Sequence, residues 1–283
     1  MITKAYKETI SWLVRTPLLW VSGLFAGVAM SLVIWLEFTG GMFIAGKIAM
    51  LSVIVFPFFV GMVNLILHTG ASDKKALIDR ALRSYFPIVL PCVIQAGFVI
   101  ILAMLLSIPF SIMGFGDDPY ILTGLMIGIT VPALLFSLYI DNVAVCEKTK
   151  IFETLKKSME LVGRNFFGAI GYLLLSGITI IGVSFFGAFL WGVILADRFT
   201  QFIDMNLTTQ QEVFSQYTFA DWQGLIGPEG ILATAILFGL ITFILTPFLL
   251  VFKYQCYHEI SQDTPVTAAV SGEYDEKGRW YKY

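Results

Sequence analysis

Asp141 is the only charged residue in the run 119–146 of this 283-residue chain, and every other residue in that run is apolar, small or neutral. A carboxylate inside such a run is expensive in a bilayer unless it is paired or faces water. It therefore points to a transport path or an active site. Asn142 follows it directly, and Asn64 and Gln95 stand at similar depth in two other apolar runs. Were these helices neighbours, Asp141, Asn142, Asn64 and Gln95 would line a polar cavity open at one face. Alternatively, Asp141 reaches to the headgroups or pairs with Lys148 or an arginine, while Asn64 and Gln95 bridge helices by hydrogen bonds.

Other reactive side chains lack the spacing that chemistry requires. Cys92, Cys146, Cys256, His68 and His258 all map to one end of the apolar runs, yet there is no Cys-x-x-Cys and no His-Glu-x-x-His. Neither a nucleophile elbow, a phosphate-binding loop nor a glycine-rich dinucleotide turn is present. The reading is therefore of a chain without a metal, a cofactor or enzymatic activity. No cysteine falls in the segments read as external, so no structural disulfide is expected.

The elements that must position these residues are set by where charge is missing. Six stretches of at least 21 residues, 16–36, 48–72, 84–116, 119–140, 165–196 and 230–252, contain no Asp, Glu, Lys or Arg. A helix needs about 20 apolar residues to cross a bilayer core. With 57% hydrophobic and 13% charged residues, the composition lies far from that of a soluble domain. The fold expected is all-α: a polytopic membrane protein of six transmembrane helices, near 18–38, 49–68, 86–113, 120–146, 166–196 and 231–252. Residues 1–257 form one membrane domain and 258–283 a polar tail. The first apolar run is too long for the core of a secretory signal and is read as retained.

Threading the chain alternately leaves Lys47 and Arg198 as the only external bases. The other sixteen of the eighteen lie on one face. Outside, eight acids face two bases; inside, sixteen bases face twelve acids. The positive-inside rule then places both termini in the cytoplasm of a cell (plasma) membrane protein. The bases gather at span ends rather than in a groove, which argues against a nucleic-acid partner.

Each outward span is preceded by a short basic amphipathic segment. Ile2, Tyr6, Ile10 and Leu13 share one face of the first. Leu77, Ala81 and Tyr85 share a face of the second, and Phe152, Leu155, Met159 and Val162 a face of the third. Three helices in the headgroup plane are expected, with Arg15, Arg83, Lys156, Lys157 and Arg164 as contacts to anionic lipid headgroups. The segments end alike, in Arg15-Thr16, Arg83-Ser84 and Arg164-Asn165, which suggests a threefold repeat near 1–70, 71–147 and 148–257. Small residues four apart, Gly23 with Gly27 and Ser31, Gly124 with Gly128, and Ala235 with Gly239, allow close helix packing, chiefly within one copy of the chain.

Two external segments add detail. A tight turn is expected at 114–119. The long loop 197–229 holds Phe199, Phe202, Phe214, Tyr217, Phe219 and Trp222, an aromatic density that predicts packed structure on the outer surface. Asn206-Leu207-Thr208 is an N-glycosylation sequon within it.

The stretch 147–171, EKTKIFETLKKSMELVGRNFFGAIG, resembles a repeated element of several polytopic membrane families, in which an acid closes one span and an amphipathic basic segment re-enters the next. The stretch 4–20, KAYKETISWLVRTPLLW, is similar to uncharacterised archaeal proteins of methanogen type with six spans. A more distant likeness is to the membrane domain joined to some glycerophosphoryl diester phosphodiesterases. The resemblance implies six spans in a prokaryotic cell membrane and brings no catalytic residues with it. The function expected is a non-enzymatic membrane scaffold, accessory subunit or lipid-interacting protein, with a protein partner or a second copy as an added option. The alternative is a small-molecule transporter with Asp141 in its path.

Overall fold

The computed structural model describes residues 2–70, 73–112, 119–203, 205–262, 272–274 and 280–282. It is helical apart from one antiparallel pair of three-residue strands, Gly272–Tyr274 with Trp280–Lys282, among those residues. Six helices are long and apolar enough to cross a membrane. In chain order the elements are α1 (Ile2–Arg15), α2 (Trp20–Phe38), α3 (Met42–Thr69), α4 (Lys74–Ile112), α5 (Pro119–Phe136), α6 (Ile140–Cys146), α7 (Ile151–Arg164), α8 (Phe166–Ile194), α9 (Ala196–Ile203), α10 (Leu207–Gln216) and α11 (Phe219–Gln262). The expected turn at 114–119 falls almost wholly outside the described residues, as does Asp204.

The seam of the bundle is α2 against α11, where the small residues meet. A Cβ on Gly27 would lie 2.6 Å from the Gly239 carbonyl oxygen, and one on Gly239 would lie 2.7 Å from the Gly27 oxygen. The Pro247 ring rests on Gly23 in the same way. Backbones this close are open only to residues without side chains. The small pairs of spans one and six thus pack against each other within one chain. Gly124 and Gly128 of α5 face open space instead.

Burial is concentrated at one end, here called the base. Residues 60–67 of α3 are all buried, as are 140–145 of α6 and most of 247–257 of α11. At the opposite end, the cap, a smaller cluster of Leu195, Ile226 and Ile231 takes in Phe38, Trp191 and Trp222. The aromatic loop is helical: α9, α10 and residues 219–226 bring Phe202, Phe214, Tyr217 and Trp222 into mutual ring contact. Gln223 Nε2 ties this cap to α2 by donating to the Phe38 carbonyl at 2.6 Å. Gly227, with φ +68° and Pro after it, breaks α11 into 219–226 and the long helix beyond.

Three expectations change. The second amphipathic segment is not a separate helix but the first turns of α4. At 39 residues and about 1.5 Å per residue, α4 is about 58 Å long, well beyond a core of about 30 Å. No glycine or charged break separates Arg83 from Phe86, so the helix simply continues. The fourth span is broken: α5 ends at Phe136, and α6 begins at Ile140 after a turn. Finally, the sixth span does not stop at Phe252 but runs on to Gln262.

The separate amphipathic helices α1 and α7 turn the expected faces to the core in part: Ile2, Tyr6 and Leu13 of α1 pack there, as does Val162 of α7, joined by residues that were not expected. In α1 the buried residues are Ala5, Thr9 and Leu13, while Ile10 is half exposed. In α7 they are Thr154, Ser158, Leu161 and Val162, while Phe152 and Met159 face outward. Small polar residues win these positions because their hydroxyls are used. Thr9 Oγ1 returns its hydrogen to the Ala5 carbonyl. Ser158 Oγ donates to the Phe136 carbonyl (2.8 Å) and accepts from the Tyr139 N–H (3.3 Å), which serves the backbone groups freed by the break in span four.

Candidate functional site

The polar residues predicted from sequence converge in part. Asn142 Nδ2 donates to Asn64 Oδ1 at 3.1 Å, and Asn64 Nδ2 donates to Asp141 Oδ2 at 3.4 Å. The fourth member is Lys253 of α11, whose Nζ lies 2.6 Å from that same Oδ2. Both asparagines are fully buried and Asp141 is 6% exposed. A carboxylate only accepts, so Asp141 sets the orientation of the Asn64 amide, and Asn64 then sets that of Asn142. The relay ends at Asn142 Oδ1, which meets no donor among the described residues.

Gln95 does not belong to this group. Its Nε2 donates to the Ala133 carbonyl across α4 and α5, so it joins helices as a bridging amide does. The partner of Asp141 is likewise neither Lys148 nor an arginine. Lys253 was overlooked because it closes a charge-free run and so read as a span end. The signal that places it inside a helix lies beyond it: Tyr254, Tyr257 and Ile260 recur at helical spacing, and all three are buried.

The expected headgroup contacts divide into paired and unpaired groups. Arg15 and Arg164 are exposed at the last residues of α1 and α7, with no acid in ion-pair range among the described residues. Lys156 lies 3.8 Å from Glu160. Lys157 contacts Glu147 at 2.6 Å and Glu153 at 3.9 Å. Its hydrogen bond to Glu147 holds the ammonium above the usual lysine range. Arg83 pairs with Asp79 at 2.8 Å. Asn206 proves to be the N-cap of α10, its Oδ1 accepting the Thr209 N–H at 2.8 Å, a role the sequon had obscured.

Beneath the polar relay lies a cavity of about 780 Å³, walled by α3, the start of α4, the end of α6 and the segment after it. Arg80, Arg83, Lys148 and His68 line it, and no acid does among the described residues. Lys148 has φ +51°, the left-handed region that favours glycine and that costs other residues about 1–2 kcal/mol. Of its cationic residues only Arg83 stood among the sequence candidates. Arg80 drew no reading of its own from the sequence, and Lys148 stood there only as a possible partner of Asp141.

Comparison with family models, with curated proteins and with solved structures returns no match.

Proposed function

We propose that this chain is a non-enzymatic protein of a prokaryotic cell membrane that engages anionic lipid through its basic end, as a scaffold or accessory subunit. The distribution of Lys and Arg supports a cytoplasmic base. The observation that carries the reading is the pair Arg15 and Arg164. Each is exposed where an amphipathic helix hands over to a span, and neither has an acidic partner among the described residues. Cations left free at that level are complementary to lipid phosphates.

A transport role has one feature in its favour: the break at 137–139 stands beside Asp141, and interrupted helices often hold transported solutes. Against it, Lys253 already neutralises that carboxylate, and the Asp141 side chain is only 9% exposed. A charge locked to a neighbour serves architecture better than passage.

The test is native mass spectrometry of the full chain extracted in mild detergent. Replacing Lys156, Lys157 and Arg164 together by Gln should lower retention of phosphatidylglycerol relative to phosphatidylcholine. Equal retention in the triple variant and the wild type would remove the proposal.

A further inference from the structure

We infer that the cavity lined by His68, Arg80, Arg83 and Lys148 is a dedicated site for a phosphate group, and that an anionic lipid headgroup is its source. This rests on the lipid-engaging reading above but concerns different residues.

Three observations on the cavity point the same way. The first is charge. Among the described residues, three permanent cations and an imidazole line it without an acid, and only Arg83 has an ion-pair partner, Asp79 one turn earlier on α4. The C-termini of α3 and α6 open toward the same region, each contributing about half a negative charge. Together they offset only part of the cationic excess, so the site attracts an anion.

The second is backbone conformation. Lys148 follows the end of α6 at the position where a left-handed residue terminates a helix, a place usually taken by glycine. A lysine held there despite the steric penalty is a residue whose side chain is needed, since Gly would satisfy the turn more easily.

The third is the shape of the walls. Leu65, Pro87 and Val145 form an apolar side, and Ser84 and Thr149 add hydroxyls to the cationic side. A cavity of about 780 Å³ with one apolar and one cationic wall suits a phosphate attached to a glycerol and its chains. Arginine supplies the planar donor fork that oxyanions accept, and lysine a point charge.

The cavity is also held in shape by the relay above it. His68 lies one turn beyond Asn64 on α3, and Val145 and Cys146 lie one turn beyond Asp141 and Asn142 on α6. The bonds joining those residues therefore fix the separation of the two walls.

The experiment uses the full chain in detergent, titrated with short-chain phosphatidic acid, with phosphatidylcholine of the same chain length and with inorganic phosphate. Binding is read by thermal shift and by native mass spectrometry. Lys148→Gly removes the cation while relaxing the backbone, and Arg80→Gln alters an exposed side chain, so both variants should fold. Each should weaken phosphatidic acid binding about tenfold or more, whereas Lys47→Gln, an exposed cation at the far end of α3, should not change it. Inorganic phosphate competing at equal affinity would support the phosphate site but assign the soluble ion as its source. Wild-type affinity in both pocket variants would overturn the site, even where the Lys156, Lys157 and Arg164 triple variant still loses phosphatidylglycerol. Loss in the pocket variants with full retention in the triple variant would uphold the site and sink only the broader surface reading.

Discussion

Lys253 Nζ sits 2.6 Å from Asp141 Oδ2, so the last span is tied by charge to the lower half of the broken one. Asn64 joins the same carboxylate from α3, and three spans therefore meet at a single oxygen. A buried pair of this kind is weak as a source of net stability, but breaking it leaves a bare charge in an apolar core.

Removing either partner alone should thus be costly. Asp141→Ala or Lys253→Met should each destabilise the protein by about 3–5 kcal/mol. The combination Asp141→Asn with Lys253→Met should recover much of that loss, because the remaining amide still meets Asn64. Thermal unfolding in detergent measures this as a coupling energy, and purely additive effects would mean that the two groups do not interact.

The glycine seam makes a sharper contrast. Gly27→Leu or Gly239→Val should drive α2 from α11 and destabilise by about 1–3 kcal/mol or more, since the obstruction is backbone. Gly124→Ala and Gly128→Ala meet nothing within 4 Å and should be neutral or mildly stabilising through helix propensity. Comparing the four melting temperatures decides it. Equal losses in both pairs would place α5 in a contact of its own.

Lys157 offers a pH test. Its hydrogen bond to Glu147 raises its folded-state pKa above the unfolded value, which lies near 10.4. The pair's contribution is therefore complete below that pH and fades as pH rises through the folded value. Both side chains are about a third exposed, so the effect stays below about 1 kcal/mol. The melting-temperature difference between wild type and Lys157→Met should be small but constant from about pH 7 to 9, and should close as pH rises through the lysine's raised folded-state value. A difference that persists above that value would assign the stabilisation to packing of the lysine stem.

Much of the architecture was legible without coordinates. The six apolar runs, the small-residue pairs and the packed aromatic loop follow from residue type and spacing, but that spans one and six pack on each other, while Gly124 and Gly128 of span four meet nothing, does not. The candidate site was legible by half. Asp141, Asn142 and Asn64 stood out because a polar group within an apolar run is conspicuous wherever it points. Gln95 was conspicuous for the same reason yet bonds elsewhere, since depth along a span says nothing about which side of the helix a neighbour occupies. Lys253 was inconspicuous because a base at the edge of an apolar run is ordinary. Part of the buried stripe of α7 was missed because Thr154 and Ser158 look like a solvated face until the broken backbone they support is known.

Composition along the chain was enough to settle that this protein is a helical bundle with six segments able to cross a membrane. Transfer of a side chain from water to hydrocarbon depends on that side chain, and a run of some twenty residues already sums to an answer. Folding in three dimensions alone decided that Asp141 answers to Lys253, that Ser158 serves the break in span four, and that Arg80, Arg83 and Lys148 face one cavity. Hydrogen bonds and ion pairs act over about 3 Å between residues far apart in sequence, and only the packing of helices brings such residues within that distance.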